Sequence, residues 1–327
     1  MRPDETGIEV AADLLRAGRL VAFPTETVYG LGALATDAAA VAAIYAAKGR
    51  PARNPLIVHV PASEMAATLA EMPAAAEALA QAFWPGPLTL VLPRRLGGPL
   101  ADAVSAGGAS VGLRVPAHPV AQALLRAVDG PVAAPSANPS GRVSPTTAAH
   151  VLDPDSGLGG RIDAVLDGGP CPVGVESTIV AVGASGAARI LRPGGITAEA
   201  LEAVLGASSE APVSPVEEGA LGPLISPGQF ASHYAPRARL RLAATEPRPG
   251  EWWLGFGPDP DGVDPARSLS LSPSGDLREA AARLFEALRH LDVQAAPGEG
   301  IAVAPIPAEG LGIAINDRLA RAAAPRG

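Results

Sequence analysis

The sequence predicts an α/β protein with two parts: a first domain built on a mixed central sheet, and a smaller α/β domain after it. Strand-like apolar runs alternate with segments of helical periodicity, and glycines stand just after several predicted helices. This alternation is typical of layered folds in which helices cover a sheet. The periodicity lapses once, after Gly206, and that break separates the two parts.

The predicted elements of the first part follow from helix caps and apolar patterns. In the second helix, Thr36 or Asp37 can cap the start and Gly49 ends the helix one residue after Lys48. The other helices are predicted over residues 8–17, 63–71, 74–83, 119–128, 145–152 and 197–205, and the strands over 20–23, 56–60, 88–92, 111–115, 132–134, 164–166, 177–182 and 188–191.

Residues 206–236 are predicted to be a linker, because they are rich in Pro, Ser, Gly and Glu and carry no apolar stripe. We therefore expect three units: a first domain over 1–205, the linker over 206–236, and a small α/β domain over 237–327. In the last unit, strands are predicted over 239–243, 251–256 and 301–304, and helices over 276–291 and 311–323.

Composition and charge argue against several classes of protein. Of the 327 residues, 48% are hydrophobic and 18% charged, so charge does not keep the chain disordered. The net charge of −8 disfavours a broad nucleic-acid-binding face. One cysteine, Cys171, cannot form an intramolecular disulfide. Because no signal region and no run of ~18 apolar residues is present, we expect a cytoplasmic protein with no membrane partner.

Three polar segments of the first part are candidates for a ligand site. FPTETVYGLG at 23–32 is a strand followed by a loop whose glycines permit close approach of a ligand, or else a hairpin turn. KGRPARNP at 48–55 opens with the only lysine, Lys48, and its three cations can converge on an anion such as a triphosphate. Residues 132–144 form a hydroxyl-rich loop or a surface turn. His59, in the strand that follows the cationic segment, is a candidate ligand group or a half-buried strand histidine.

Arg114 lies in a predicted strand whose two faces differ. Alternation puts Val111, Leu113 and Val115 on one face and Gly112 and Arg114 on the other. If helices cover the second face, the guanidinium needs a partner. A substrate carboxylate or a protein Asp or Glu would serve equally well.

Standard catalytic motifs are missing from the sequence. It contains no G-x-G-x-x-G dinucleotide fingerprint, no GxxxxGK[ST] loop and no metal-ligand spacing. Glu176 and Arg192 add polar interruptions at two further strand ends. Cations and hydroxyls without a covalent catalyst suit adenylyl or phosphoryl transfer by positioning and charge stabilisation.

Taken together, these segments resemble a known family. The chain resembles the YrdC-type domain in six blocks, and two later blocks resemble the extra domain of two-domain threonylcarbamoyl-AMP synthases. The six blocks are FPTETVYGLG (23–32), AKGRPARNPLIVHV (47–60), VGLRVP (111–116), APSANPSGRVSPTT (134–147), DGGPCPVGVESTIV (167–180) and ILRPGGIT (190–197), and the later two are SPGQFASHYAP (226–236) and GLGIAINDRLARAA (310–323).

The resemblance implies a fold and a reaction. The fold is a twisted mixed-sheet YrdC-type domain, a linker and a small Rossmann-like α/β domain. The reaction converts L-threonine, bicarbonate and ATP into threonylcarbamoyl-AMP and pyrophosphate, and other tRNA modification proteins then transfer the threonylcarbamoyl group to tRNA beside the anticodon. The alternatives are an RNA-binding module without turnover, which the charge disfavours, and a carbamoyl-transferring maturation enzyme, whose zinc-finger and acylphosphatase segments this chain lacks.

The resemblance also implies roles for particular residues. Lys48 and Arg50 would be catalytic, with Lys48 near the phosphates, and Mg²⁺ would arrive on ATP, with no protein metal site and no tightly bound cofactor. L-Threonine would be held by Thr27, His59, Arg114, the Ala134 backbone and Ser177, and ATP by Arg50, Asn54, Ser110, Ser136, Ser144, Arg192 and Tyr234. Direct tRNA binding is expected to be weak or absent.

Tyr234 lies beyond the predicted linker, so the resemblance implies that residues 206–236 also close over the site as a lid. Two departures from the family pattern concern this lid. Arg53 stands where an acidic residue is usual, and Gln229 to Ser232 stand where a Met followed by basic residues is usual. These departures change the charged contacts that the resemblance implies for the lid.

Overall fold

The computed structural model describes residues 1–206 and 232–325. The predicted linker and lid over 206–236 lie largely outside the described residues, including Gln229 and its neighbours up to residue 231. The helices are α1 (Glu5–Arg16), α2 (Ala38–Lys48), α3 (Ser63–Leu69), α4 (Ala74–Phe83), α5 (Pro119–Val128), α6 (Ala148–Leu152), α7 (Ala198–Leu205), α8 (Leu277–Gln294) and α9 (Leu311–Ala323).

The strands form two separate sheets. In the first domain they are β1 (Val21–Phe23), β2 (Gly30–Leu34), β3 (Ile57–His59), β4 (Leu88–Pro93), β5 (Ser110–Arg114), β6 (Val132–Ala133), β7 (Ala164–Val165), β8 (Thr178–Val182) and β9 (Ala188–Arg192). In the second domain they are β10 (Arg239–Arg241), β11 (Glu251–Gly255), β12 (Ser268–Ser270) and β13 (Gly300–Val303).

The first sheet is mixed and the second is parallel. The strand order of the first sheet is β7-β1-β2-β6-β3-β5-β4-β8-β9, with both parallel and antiparallel neighbours. The second sheet has the order β10-β13-β11-β12, and all its pairs are parallel. The predicted fold class, a mixed-sheet α/β domain followed by a small α/β domain, is confirmed.

The capping signals of α2 are confirmed in detail. Asp37 accepts hydrogen bonds from the backbone N–H groups of Ala39 and Ala40, and Gly49 ends the helix at φ 59°, in the left-handed region. Because Gly49 stops the helix there, Lys48 becomes its last residue, and its side chain is buried.

One strand was predicted wrongly to be part of a loop. Gly30–Leu34 is β2, which lies between β1 and β6 inside the first sheet. A Cβ on Gly32 would stand 2.9 Å from Phe23 Cε1 and 3.1 Å from the Val21 carbonyl oxygen. Gly32 therefore permits close packing between strands, whereas Gly30 of the same segment lines the cavity described below. Strand β12 in the second domain was not predicted.

The two domains share an apolar cluster. Val28, Val143 and Val175 of the first domain pack with Tyr234 and with Phe285 of α8. Because apolar side chains from both domains are removed from water in one cluster, the second domain is docked firmly against the first. Within the described ranges, no helix is long and apolar enough to cross a membrane.

A candidate active site between the two domains

A cavity lies where several strand ends of the first domain meet the segment that leads into the second. Nine predicted site residues line it: Thr27, His59, Arg114, Ala134 and Ser177 from the threonine set, and Arg50, Ser136, Arg192 and Tyr234 from the nucleotide set. Its free volume is about 50 Å³, which holds a few water molecules and is far below the ~300–1,000 Å³ of typical ligand pockets. A nucleotide therefore requires the site to open.

The strand register explains why His59 and Arg114 meet at this cavity. Strands β3 and β5 are parallel, and His59 is the register partner of Arg114. Val111 and Leu113 point into the core on the opposite face, as alternation along the strand predicted.

The buried guanidinium of Arg114 has a protein carboxylate as its partner. Arg114 Nη2 lies 2.7 Å from Glu26 Oε1, and both side chains are less than 10% exposed. Arg114 Nη1 also donates to the Thr27 hydroxyl at 3.0 Å, and Nε to the Gly86 carbonyl at 3.3 Å. Of the two partners that the sequence left open, the protein carboxylate is the one present, while Arg114 itself still faces the cavity.

His59 is a neutral, fully buried ring beside Arg114. Burial, reinforced by the Arg114 cation, lowers the pKa of His59 to about 3. Its Nδ1 has no hydrogen-bond partner among residues 1–206 and 232–325. The ring packs edge-on against Phe23, with the two centroids 6.3 Å apart. His59 therefore brings a polar atom to the cavity without adding a second positive charge.

On another wall, two arginines and Ser177 surround the cavity. Arg192 donates from Nη2 to the Ser177 carbonyl at 2.9 Å, and the Ser177 hydroxyl pairs with that of Thr89 at 2.7 Å. Arg50 donates to the carbonyls of Asn54 and Pro55 at 3.2 and 2.9 Å. Burial lowers the pKa of Arg50 to about 10, so the guanidinium remains charged at neutral pH.

Glu176 is a carboxylate on the same wall, and its role was not predicted from the sequence. One of its oxygens accepts from the Ser144 hydroxyl at 2.6 Å, and the other from Arg318 Nε of α9 at 2.7 Å. Burial raises the pKa of Glu176, but the Arg318 and Arg192 cations and the two hydrogen bonds outweigh burial and lower it. The carboxylate is therefore ionised.

Four predicted residues do not line the cavity. Lys48 donates to the carbonyl oxygens of Ser136 and Asn138, so in this structure its ammonium anchors the loop that carries Ser136. Ser144 lies behind Glu176, and the amide group of Asn54 is buried without a hydrogen-bond partner among the described residues.

Ser110, the fourth of these residues, lines a separate cavity of about 420 Å³ together with Pro55, Leu56 and Val91. Because alternate residues of a strand share a face, Ser110 and Arg114 lie on the same face of β5. The second cavity is thus on the Arg114 face of the sheet, further along the strand.

His233 and Tyr234 close the cavity from the side of the second domain. Tyr234 is buried with φ at 61°, and its ring stacks on Phe285 at 5.5 Å between centroids. His233 packs edge-on against Tyr234 at 4.1 Å, and burial together with nearby cations lowers its pKa well below the ordinary value. His233 has no recognisable signal in the sequence, because only the fold brings it to the cations.

Within residues 1–206 and 232–325, no cluster of three or more His, Cys, Asp or Glu side chains could hold a metal ion. Cys171 is buried, and burial raises the pKa of its thiol to about 12. The fold and the site thus define an α/β protein with a buried cavity lined by arginines and hydroxyls, side chains whose charge and hydrogen-bonding groups suit anionic ligands.

Comparison with known proteins shows which family the chain belongs to. Residues 13–194 match the Sua5, YciO and YrdC family model, described as telomere recombination, and residues 196–324 match the model described as the threonylcarbamoyl-AMP synthase C-terminal domain. The chain belongs to this family.

The similar proteins cover both domains. The threonylcarbamoyl-AMP synthase of Pyrococcus abyssi is 41% identical over 98% of this chain and 95% of its own length, and that of Bacillus subtilis is 42% identical over 98% and 93%. The crystal structure of P. abyssi Sua5 complexed with L-threonine superposes with a TM-score of 0.86 at 39% identity, covering 98% of this chain and 95% of that one.

Proposed function

We propose that this chain is a threonylcarbamoyl-AMP synthase, which forms L-threonylcarbamoyl-AMP and pyrophosphate from L-threonine, bicarbonate and ATP. The names of the full-length relatives support this activity. The observation that carries it is the grouping of nine predicted threonine and nucleotide residues around one buried cavity. The product would serve the threonylcarbamoyladenosine modification of tRNA, through other proteins that transfer the group.

We infer that L-threonine binds at the Arg114 side of the cavity. Its carboxylate suits the guanidinium of Arg114, which faces the cavity while Glu26 holds it from behind. Thr27, His59 and Ser177 offer hydrogen-bonding groups around this arginine, and the Ala134 backbone completes the wall. The relative whose crystal structure contains L-threonine supports this choice of amino acid.

The nucleotide would occupy the opposite side and extend along β5. Arg50 and Arg192 would bind the phosphates, together with Ser136 on the loop that Lys48 anchors. The largely apolar cavity beside Ser110 has the volume and surface for a purine base. Magnesium would arrive on ATP, because Glu176 and Glu26 are already engaged by arginines.

The cationic and hydroxyl side chains around the cavity suit this reaction, which needs no covalent catalyst. Bicarbonate supplies CO₂ with loss of hydroxide, and the threonine amine adds to the CO₂ and loses a proton to give a carbamate, so that one water is released. The carbamate oxygen then attacks the α-phosphorus of ATP and displaces pyrophosphate. The protein's task is to hold the two reactants in line and to stabilise the charge that develops on the phosphate. Exclusion of water protects the product, threonylcarbamoyl-AMP, from hydrolysis of its carbamoyl–phosphate bond.

The lid over 206–236 remains a prediction, supported by the position of Tyr234 at its carboxyl-terminal end. Because the cavity is too small for ATP as it stands, His233 and Tyr234 would have to move before the nucleotide binds. Residues 207–231 lie outside the described residues.

Mass spectrometry of the product tests the proposal. The chain is incubated with ¹³C-bicarbonate, L-threonine and MgATP, and the expected product is threonylcarbamoyl-AMP that carries one labelled carbon. Pyrophosphate should be released only when both threonine and bicarbonate are present. Salt-sensitive RNA binding without pyrophosphate release would instead support the alternative of an RNA-binding module.

A further inference from the structure

The last helix, α9, brings three charged side chains to the interface between the domains, where they meet Glu176 of the first domain. Arg318 is fully buried and donates from Nε to Glu176 Oε2 at 2.7 Å and from Nη1 to Asp317 Oδ2 at 2.6 Å. Asp317 also accepts from Arg321 Nε at 3.0 Å. Two arginines and two carboxylates thus balance one another where α9 meets the first domain.

Glu176 is the member of this cluster that faces the cavity. It shares the cavity wall with Arg50 and Arg192, whereas Arg318 lies behind it and does not line the cavity. An ionised carboxylate in this position would repel a polyphosphate, and in a buried site the repulsion is strong because water screens it poorly. Such a carboxylate is compatible with an anionic ligand only when a cation compensates it.

We propose that Arg318 is a positioning residue of the nucleotide site, which fixes Glu176 and neutralises its charge so that Arg50 and Arg192 remain available to the phosphates of ATP. This inference rests on the proposed function. It gives the second domain a specific task in the reaction: α9 supplies the countercharge that makes the wall of the first domain compatible with a nucleotide. The hydrogen bonds to Glu176 and Asp317 hold the Arg318 guanidinium in this position, and in this structure it also packs over the Tyr234 ring, 5.3 Å from its centroid.

The alternative is that the ion pair only ties the two domains together. Two single substitutions separate these roles, because Arg318→Met and Glu176→Gln both break the same contact and change the charge in opposite directions. Arg318→Met leaves the Glu176 carboxylate beside the phosphates with Arg192 as its remaining countercharge, so that Arg192 is drawn away from the phosphates. Glu176→Gln removes that carboxylate and leaves Arg318 paired with Asp317.

The experiment measures equilibrium binding of ATP and of L-threonine to the full-length chain by calorimetry. We expect Arg318→Met to weaken ATP binding on the order of tenfold or more, with threonine affinity within about twofold of the unsubstituted chain. Glu176→Gln should bind ATP at least as tightly as the unsubstituted chain. The double variant should recover ATP affinity to within about threefold, because no unpaired carboxylate remains.

A matched control is Arg283→Met, which breaks an exposed arginine–glutamate pair with Glu279 on α8 of the same domain. It should leave both affinities unchanged. Equal weakening of ATP binding by the two single variants, or no weakening by Arg318→Met, overturns the inference.

If Arg318→Met does not fold, the ATP affinity of Glu176→Gln tests the inference by itself. Unchanged or tighter ATP binding by that variant supports the inference, and weaker binding overturns it. The proposed function is judged separately. An unsubstituted chain that binds ATP and yields no threonylcarbamoyl-AMP contradicts the proposed function. In that case the ATP affinities of the Arg318 and Glu176 variants still test the role of Arg318.

Discussion

Two buried arginine–glutamate pairs flank the cavity, and they present opposite charges to it. Arg114 faces the cavity with Glu26 behind it, whereas Glu176 faces the cavity with Arg318 behind it. In both pairs the shortest distance between the charged groups is 2.7 Å. The first pair lies within the first domain, and the second joins the two domains.

The comparison shows that a buried ion pair does not by itself define the charge of a site. What matters is which partner faces the ligand and which supplies the compensation from behind. The inward-facing cation of the first pair suits a carboxylate ligand. The inward-facing carboxylate of the second pair is acceptable beside phosphates only while its partner is in place.

The largest effect should come from removing the second pair altogether. A chain cut after Gly206 loses Arg318 and Tyr234 and keeps Arg114 with Glu26. We expect a folded first domain that binds threonine, as measured by calorimetry, and a fall in product formation of roughly a hundredfold or more, because the ATP side is incomplete. Full activity of the shortened chain would contradict both the lid and the role of the second domain.

The next effect should come from Arg114→Ala, which breaks the first pair at the cavity. The expected result is a rise of about a hundredfold in the KM for threonine, because the carboxylate loses a charged, bidentate partner. Steady-state pyrophosphate release at varied threonine measures it. Arg16→Ala, in an exposed pair with Asp13, is the control and should change nothing. An unchanged threonine KM would refute the assignment of Arg114.

Glu26→Gln removes the other partner of the same pair. Because Arg114 would then be a buried cation without a full countercharge, we expect a loss of about 3–5 kcal/mol in the free energy of unfolding of the unliganded chain. The carboxylate of threonine should restore part of this loss. Threonine should therefore raise the melting temperature more in Glu26→Gln than in the unsubstituted chain, and an equal rise in both would show that threonine binds elsewhere.

The smallest effect concerns two buried histidines that line the cavity. His59 lies next to Arg114 and His233 next to Arg50, and burial lowers the pKa of both rings. Since the unfolded chain binds protons on these rings below about pH 6.5, stability should fall from pH 7 to pH 5, by up to about 1.4 kcal/mol per pH unit for each ring. Urea unfolding at several pH values measures this slope, which His59→Gln should reduce. Identical slopes in the two proteins would show that His59 does not titrate between the folded and unfolded states.

Local signals in the sequence predicted much of the fold. Asp37 and Gly49 fix the ends of α2 through hydrogen bonds and a left-handed residue, and both effects are encoded within a few residues. Strand β2 was missed because a glycine in a strand is not a signal of local propensity. Gly32 is needed there because it packs closely against Phe23, a contact that depends on the order of strands in the sheet.

The site was predictable where strand alternation sets direction, as for Arg114, and unpredictable where distant segments meet. The sequence left two kinds of partner open for Arg114, and only the folded chain brings Glu26 to it. Arg318 and Glu176 are 142 residues apart in the chain. No local pattern links them, because their contact depends on how the second domain docks.

The pairing of His59 with Arg114 makes the short strand β3 intolerant of changes in length. Because side chains alternate between the two faces, a deletion of one residue before His59 that shifted the strand by one position would turn the imidazole into the apolar interior and bring Val60 to the place opposite Arg114. The loop before β3, which also carries Arg50, must therefore keep its end in phase with the sheet.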